Sequence, residues 1–410
     1  MSPAKILQII PELKTGGAER SVVEMTEAIV AAGGEALVIS EGGVLEDEVV
    51  AHGGRIIQMA VKSKNPLTLY KNRSKIAKLI RSEAISLVHA RSRAPAWSAL
   101  WAARKTGVPF VTTYHGAYNQ KSALKGFYNG VMARGDWVIA NSIYTKNLIL
   151  ERHPVDPACV SVIYRGVDME TMDPLAVSLE RTERLRAAWG LTGLEDARRK
   201  IVLHAARLTE WKGQRDIIEA AAQLKAIGDE RALMILAGDA QGRVAYENEL
   251  KTLIHSQGLQ SWVKMVGHVD DMAAAYKLAD VVVVASREAE AFGRAAAEAQ
   301  AMGCPVIATD IGAPPEFLNL GERWLTEAGE GAVRPVKRPK PTAWLVPVAD
   351  GAAIASRLRK ILDIPADEQA QLADIARSYV GELFTKNNMQ AQTIRVYERL
   401  LQGSLATIGN

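Results

Sequence analysis

The chain has 410 residues, of which 48% are hydrophobic and 23% are charged. This length exceeds what one hydrophobic core usually supports and predicts two domains, and the composition is that of a globular protein, not a disordered or fibrous one. No apolar run reaches the ~18–20 residues that span a bilayer, and the first residues lead directly into a strand, so we expect no secretory signal. The two cysteines, Cys159 and Cys304, are far apart and lack metal-ligand spacing, which is typical of a reduced cytoplasmic protein.

The net charge of +4 is unevenly distributed along the chain. Residues 1–165 contain 21 Lys and Arg against 13 Asp and Glu, and residues 55–134 contain 15 against a single acid, Glu83. A basic surface of this density attracts anionic lipids, nucleic acids or phosphorylated substrates. A basic surface that is merely solvated is the alternative interpretation.

Strands and helices alternate through the first half of the chain. A strand at residues 5–10 precedes a helix that opens at Gly16 and Gly17, where glycines let the backbone approach a ligand closely. This turn lacks the Gly-x-Gly-x-x-Gly pattern of dinucleotide-binding folds. Further strands are predicted at residues 36–40, 86–89, 110–113 and 137–140, with helices at 67–82 and 94–105. Alternation of this kind predicts a parallel, doubly wound sheet.

Polar residues follow the last two of these strands. His115, between Tyr114 and Gly116, lies where the loops of an active site gather, and it could hydrogen-bond a hydroxyl or exchange a proton near neutral pH. A purely structural histidine is the alternative. Asn141 and Ser142 end the next strand and could simply cap the helix that begins near residue 143.

A second alternating series follows a connection at residues 171–199 that contains one helix, at 178–189. Five strands are predicted, at residues 201–206, 234–237, 263–267, 281–285 and 305–309. Each is followed by a polar or glycine-containing loop, so we expect a second doubly wound sheet with a ligand-binding edge. Residues 333–341 predict a proline-broken surface loop, and helices at 351–362, 366–380 and 385–401 end the chain.

Charged side chains on two of these loops suggest chemistry. Arg207 and Lys212 share one loop, and two cations near a diphosphate stabilise the charge that develops as it leaves. No Asp-x-Asp stands at a strand end to hold a metal diphosphate, so the cations could replace a metal. Glu290 lies in the loop after strand 281–285, and Glu298 lies one turn into the next helix. Solvated charges on exposed loops are the alternative for both pairs.

These motifs, taken in order, resemble those of retaining glycosyltransferases of the GT-B type, family four, across essentially the whole chain. The motifs are Gly16-Gly17-Ala18-Glu19, Tyr114-His115-Gly116, Asn141-Ser142, Arg165-Gly166-Val167-Asp168, Arg207 with Lys212-Gly213, Ala237-Gly238-Asp239 and Glu290-x7-Glu298. Residues 293–310 are especially similar to that family. The basic N-terminal half and residues 91–101 further resemble bacterial transferases that build lipopolysaccharide cores.

The resemblance implies an α/β GT-B fold, in which two Rossmann-like, doubly wound parallel-sheet domains face each other across a cleft. It implies an acceptor-binding domain at residues 1–170, a connection at 171–199 and a nucleotide-sugar-binding domain at 200–384, with a helix at about 385–410 crossing back to the first domain. The implied reaction moves a hexose from a nucleotide sugar, GDP-mannose being slightly favoured over a UDP-sugar, to a lipopolysaccharide-core or other lipid-linked acceptor. An α-linkage would form with retention of the anomeric configuration, and neither a metal nor another cofactor would be needed.

The resemblance also implies roles for single residues. Arg207 and Lys212 would bind the donor diphosphate, His115 and Glu290 would contact the transferred sugar, and Glu298 would hold the ribose. The catalytic residues would therefore be His115, Arg207, Lys212 and Glu290. The donor-binding residues would be Gly16, Gly17, Gly238, Asp239, Gly267, His268, Val269, Ala291, Phe292, Gly293 and Glu298, and the acceptor-binding residues Glu19, Arg20 and Asn141. Arg165 departs from the family pattern, which usually has an asparagine before Gly-Val-Asp, so contacts of that turn cannot be carried over.

The expected protein is a cytoplasmic enzyme, peripheral on the inner face of the cytoplasmic membrane. It would bind anionic lipid through its basic N-terminal domain and have no nucleic-acid partner. A nucleotide-sugar epimerase of the same fold is an alternative and would release free product from the donor alone. A nucleic-acid-binding protein would explain the basic surface but not the acidic and glycine loops.

Overall fold

The computed structural model describes residues 3–14, 16–118, 120, 122–193, 198–321 and 340–406. These residues form two compact units. The first contains the chain up to Arg165 and the segment from Lys386 onward, and the second contains described residues between Gly166 and Thr385. The basic loop predicted at residues 333–341 lies outside the described residues, except for Lys340 and Pro341.

Thirteen strands and fifteen α-helices are defined within the described residues. The strands are β1 Lys5–Ile9, β2 Glu35–Ser40, β3 Arg55–Gln58, β4 Leu87–Ala90, β5 Phe110–Tyr114, β6 Trp137–Ala140, β7 Val160–Val162, β8 Lys200–Ala205, β9 Ala232–Ala237, β10 Val263–Gly267, β11 Val281–Val284, β12 Val306–Thr309 and β13 Ala343–Val346. The helices are α1 Gly17–Ala31, α2 Glu46–Ala51, α3 Pro66–Ser82, α4 Arg93–Thr106, α5 Ala123–Asn129, α6 Ile143–Arg152, α7 Leu179–Ala188, α8 Gln214–Ala226, α9 Val244–Ser256, α10 Met272–Leu278, α11 Arg294–Ala301, α12 Pro314–Phe317, α13 Gly351–Leu362, α14 Ala366–Leu383 and α15 Lys386–Leu401. Among them, no helix combines the length and apolarity needed to cross a bilayer.

Each unit is built on one parallel sheet. The first has seven strands in the order β3-β2-β1-β4-β5-β6-β7, and the second has six in the order β10-β9-β8-β11-β12-β13. Strands such as β11, with four consecutive buried valines, are apolar throughout because helices cover both faces of a parallel sheet. The prediction of two doubly wound parallel sheets is confirmed.

Strand order reverses between β1 and β4 in the first sheet and between β8 and β11 in the second. Open α/β sheets bind ligands at the carboxyl ends of the strands that flank such a reversal. In the second unit the loops in question are those after β8 and β11, which carry Arg207, Lys212 and Glu290.

Among the short elements that the sequence did not reveal are α2, β3, α5 and β13. The edge strand β3 exposes Arg55 and Gln58 and only half buries the residues between them, so its pattern is weak. Helix α5 spans only seven residues and contains Gly126. Strand β13 adds a sixth strand where five were expected, and it follows a proline-rich stretch that gives no strand signal.

The last helix, α15, belongs to the first unit. Its Tyr397 hydroxyl lies 2.6 Å from Nδ1 of His89 on β4, and Gln390 donates to the Glu24 carbonyl on α1 at 2.7 Å. Residues 171–193 belong to the second unit, where Arg181 of α7 pairs with Asp271 at 2.7 Å.

Candidate functional site

Two loops of the second unit meet because Gly213 has no side chain. Gly213 ends the loop after β8 with a φ of +75°, and a Cβ atom there would lie 1.9 Å from the carbonyl oxygen of Ala285. An L-residue rarely adopts this backbone conformation, and no side-chain atom fits at this distance. The glycine therefore lets the loop that carries Lys212 pack directly against the loop that carries Glu290.

Lys212 and Glu290 form an ion pair at this meeting point. The Lys212 ammonium lies 2.6 Å from Glu290 Oε1, and the two side chains are only 16% and 12% exposed. The Ser286 hydroxyl donates to the same carboxylate oxygen. The glutamate backbone is held in turn, since its carbonyl accepts from Ala313 N at 3.0 Å. Lysine has three N–H donors, so the ammonium can contact a further anion without leaving the carboxylate.

Arg207 differs from Lys212 because its guanidinium is exposed. Its hydrogen bond to a described side chain is a long one, 3.4 Å to Gln241 Oε1, whereas its backbone carbonyl accepts from Gln214 at 2.9 Å. Gly238 supports the loop from beneath, where a Cβ would meet the Ala206 oxygen at 2.0 Å. The backbone is thus fixed while the cation is available to an anion.

Glu298 lies in the first turns of α11 with both carboxylate oxygens in contact. Arg294 donates to Oε1 at 2.9 Å, and the Tyr276 hydroxyl donates to Oε2 at 3.2 Å. Gly293 caps the helix in the left-handed region, and the buried Phe292 packs its ring 4.5 Å from that of Phe317. These contacts orient the carboxylate, and each oxygen keeps acceptor capacity for a hydroxyl.

Apart from Gly16 and Gly17, which lie in the first unit, the remaining donor-binding predictions fall on neighbouring strand ends and loops of the second sheet. Gly238 N, just after β9, donates to the carbonyl of Gly267, the last residue of β10, at 2.7 Å, so the ends of these two strands are in contact. The Asp239 carbonyl accepts from Leu208 N. His268 is half exposed and lies 3.1 Å from Asp270. Val269 and Ala291, which were also predicted to bind the donor, are buried.

His115 of the first unit contacts Arg165. An Arg165 N–H donates to Nδ1 of the imidazole, which places the proton of the neutral ring on Nε2. That atom is buried and has no hydrogen-bond partner among the described residues. Burial, and then the charges of Arg165 and Arg91, hold the pKa of His115 well below its ordinary value. The ring is therefore a neutral donor at neutral pH, and the residue that departs from the family pattern sets its tautomer.

The acceptor-binding predictions Glu19, Arg20 and Asn141, and the donor-binding predictions Gly16 and Gly17, lie in the first unit. Arg20 pairs with Glu48 of α2, one contact being 3.1 Å, while Gly16 and Gly17 open α1 with Glu19 in its first turn. Asn141 is buried at the end of β6. Ser142 accepts from Thr145 N at 3.1 Å and caps α6, as its helix-capping interpretation requires.

Comparison with known proteins places the chain in a family. The model for Glycosyltransferase Family 4 matches residues 15–171, and that for Glycosyl transferases group 1 matches residues 192–379. A crystal structure of a glycosyltransferase from Rickettsia africae is 31% identical, covers 98% of this chain and 100% of that chain, and superposes with a TM-score of 0.84. The chain belongs to glycosyltransferase family 4.

Two further proteins are similar to this glycosyltransferase. D-inositol 3-phosphate glycosyltransferase of Kineococcus radiotolerans is 29% identical over 68% of the chain, which spans 60% of that relative's length. HepE of Anabaena, solved in complex with UDP and glucose, is 22% identical with a TM-score of 0.77, and the match covers 96% of this chain and 99% of that one. The second likeness shows the GT-B fold alone.

Several side chains around the glycosyltransferase site were not predicted. Arg287 anchors the loop after β11 by pairing with the buried Asp216 of α8, where Nε lies 2.9 Å from Oδ2. His204 of β8 is buried and lies 2.8 Å from the Val283 carbonyl through Nδ1, and burial lowers its pKa to about 4. A polar residue inside an otherwise apolar strand was the available signal for His204.

Across the parts of the chain that the structure describes, no three His, Cys, Asp or Glu side chains are grouped so that they could hold a metal ion. Metal independence stays a prediction. The cations of the loop after β8 can supply positive charge to a leaving diphosphate.

Proposed function

We propose that this glycosyltransferase moves a hexose from a nucleotide sugar to a lipid-linked acceptor, such as a lipopolysaccharide core, and forms an α-linkage with retention. The observation that carries the proposal is the contact between Lys212 and Glu290 at the reversal point of the second sheet, with Arg207 on the same loop as the lysine. Cations there suit a diphosphate, and an oriented carboxylate suits sugar hydroxyls.

The donor and the acceptor are the only reactants in the proposed chemistry. The bond from the anomeric carbon to the phosphate oxygen breaks, and the acceptor oxygen bonds to that carbon on the same face. The acceptor proton passes to an oxygen of the leaving diphosphate, whose charge Arg207 and Lys212 stabilise. Each ~1.4 kcal/mol of such selective stabilisation gives about a tenfold rate increase. His115 donates from Nε2 to a substrate hydroxyl.

The first experiment tests transfer. Purified protein is incubated with labelled nucleotide sugars, one at a time, and a lipid acceptor. The one-bond coupling between the anomeric carbon of the product and its proton reports whether the linkage is α or β. We expect a labelled α-glycolipid from one donor class. Free epimerised sugar from the donor alone would instead support the epimerase alternative, and absence of any product would contradict transfer.

The second experiment tests the donor site. Because a bound ligand stabilises only the folded state, the unfolding temperature should rise with one of GDP, UDP or ADP. Glu298→Gln and Glu298→Ala should weaken that nucleotide by at least about tenfold, since a hydrogen bond to a charged group is lost. Glu288→Ala is the matched control, because Glu288 is exposed and lies in the same segment. Unchanged binding in both Glu298 variants would overturn the assignment.

A peripheral membrane location is part of the proposal. Its support is the density of lysine and arginine between residues 55 and 134, which favours anionic lipid. The protein should float with vesicles that contain phosphatidylglycerol but not with pure phosphatidylcholine, and high salt should release it. Equal flotation with both vesicles would contradict this location.

A further inference from the structure

A groove of ≈ 850 Å³ opens on the first unit between α3, α4 and α5. Its walls are apolar side chains, namely Leu69, Trp97, Trp101, Tyr118, Leu124 and Phe127. The rings of Trp97 and Phe127 stack with centroids 5.2 Å apart, and Trp101 lies 5.5 Å from Trp97. This volume is within the ~300–1,000 Å³ of pockets that enclose a single small ligand.

Three large apolar side chains of the groove are exposed to solvent. Leu124 is 79% exposed, Phe127 58% and Trp101 37%. Large apolar side chains gathered around one concavity mark a binding surface, whereas single exposed ones do not. The indole N–H of Trp97 already donates to the Tyr128 carbonyl at 3.2 Å, so this wall offers little to sugar hydroxyls and favours hydrocarbon.

The rim of the groove is cationic. Lys64, Arg93 and Lys125 line it, and the described residues that line it include no carboxylate. Arg93 is engaged by Asn129 at 2.8 Å and by the Tyr118 ring. The ammonium groups of Lys64 and Lys125 make no hydrogen bond or ion pair with another described residue. An apolar groove with these two ammonium groups at its edge complements an anionic amphiphile.

The groove is continuous with the loop that carries His115. Ala117 and Tyr118, two and three residues beyond the histidine, line the groove. The Tyr118 ring also packs 4.5 Å from that of Tyr114 at the end of β5. A ligand that extends from the groove toward the carboxyl edge of the first sheet therefore passes this loop.

We propose that the groove binds the hydrocarbon chain of the lipid-linked acceptor, with the phosphate attached to that chain held by the rim lysines Lys64 and Lys125. This inference rests on the proposed transfer to a lipid acceptor and adds the site that recognises the lipid. A groove of this size encloses one chain, whereas a bilayer surface would contact a flat face.

A binding experiment needs no donor. Bromine quenches tryptophan fluorescence at short range, so 12-bromododecyl phosphate is titrated into the full-length protein, and Trp101→Phe assigns the signal among the eight tryptophans. We expect saturable quenching that Leu124→Asp weakens by about tenfold. Leu175→Asp is the matched control, because Leu175 of the second unit is 89% exposed. Absence of quenching, or equal affinity in the two variants, overturns the proposal.

Further probes separate the head group, the chain and the membrane. The neutral 12-bromododecyl maltoside should bind more weakly than 12-bromododecyl phosphate. The double variant Lys64→Glu, Lys125→Glu should remove this preference for the phosphate. The control variant Lys78→Glu, at an exposed residue, should keep it. Equal binding of the two detergents overturns the phosphate contact. Loss of phosphatidylglycerol vesicle binding in Leu124→Asp, with monomeric 12-bromododecyl phosphate unaffected, assigns the surface to membrane docking and overturns the groove.

A transfer assay distinguishes failure of this inference from failure of the proposed function. Leu124→Asp should raise KM for the lipid acceptor by about tenfold and leave nucleotide binding unchanged. Transfer to lipid that is identical in Leu124→Asp and Leu175→Asp overturns the groove but not the glycosyl transfer. Saturable binding of 12-bromododecyl phosphate without any transfer supports the groove as a lipid-binding site and contradicts the proposed acceptor.

Discussion

Lys212 and Glu290 are largely buried, so neither charge is well solvated without the other. We expect Lys212→Met or Glu290→Gln alone to destabilise the second unit by roughly 3–5 kcal/mol, because each leaves one uncompensated charge, and the double variant to recover much of this loss. Urea unfolding of the four proteins measures the coupling energy. The pair of Lys251 and Glu247, also 2.6 Å apart but more exposed, is the control and should couple by only about 0.3–0.5 kcal/mol. Equal coupling in the two pairs would contradict the buried character of the first.

Arg165 should set the pH range in which His115 is neutral. Arg165→Asn removes a positive neighbour, so the pKa of His115 should rise, although burial, Arg91 and His89 continue to hold it low. The acid limb of kcat/KM against pH should therefore move to higher pH, and the nitrogen NMR signals of the ring should lose their single-tautomer pattern. Arg55→Asn, at an exposed ion pair on β3, should leave both unchanged. An unshifted acid limb in Arg165→Asn would argue against the contact.

The packing of the loops after β8 and β11 against each other depends on Gly213, which has no Cβ atom. Gly213→Ala should separate the loops after β8 and β11, because the added Cβ would overlap the Ala285 carbonyl. Nucleotide binding and transfer should then fall together by more than about tenfold. Gly228→Ala is the control, since Gly228 follows α8 with a φ of +68° and has nothing within 4 Å of its Cβ position. Both variants incur the ~1–2 kcal/mol cost of a left-handed residue, so only a loss specific to Gly213 supports the clash.

Local sequence signals predicted most strands and the loops after them, but not the contact between two of those loops. Hydrophobic periodicity located the strands with full apolar runs, and the glycine and polar residues after them located the loops, because both signals are local. The contact of Lys212 with Glu290 joins residues 78 positions apart, and it arises from strand order, which periodicity does not encode. Sequence reasoning placed these two side chains at different parts of the donor. Likewise β3 and β13 lie at sheet edges, where half-buried strands give a weak pattern.

At the scale of the whole molecule, buried histidines make stability depend on pH. Burial lowers the pKa of His204 to about 4, below the ~6.5 of an unfolded chain. The unfolded state therefore binds more protons in this window, so stability rises with pH between about 4 and about 6.5 and falls on acidification. Across this pH window, His204 alone changes the free energy of unfolding by roughly 3 kcal/mol. Urea unfolding between pH 4.5 and 7 should show a smaller pH dependence in His204→Asn, whereas the exposed-residue variant His255→Gln should match the parent. A slope unchanged in His204→Asn would contradict this account.

The path of the chain through α15 also bears on the order in which the protein can fold during synthesis. Tyr397 meets His89, 308 positions earlier, and Ala4 N donates to the Leu405 carbonyl at 2.8 Å. The sheet that leaves the ribosome first therefore lacks part of its core until residues 386–405 have been translated, after the whole second sheet. At ~5–20 residues per second, the first sheet waits on the order of 10 to 50 seconds for its final helix. Ribosome-bound chains that end near residue 380 should accordingly be cleaved by protease within residues 1–165, whereas released full-length chains should resist.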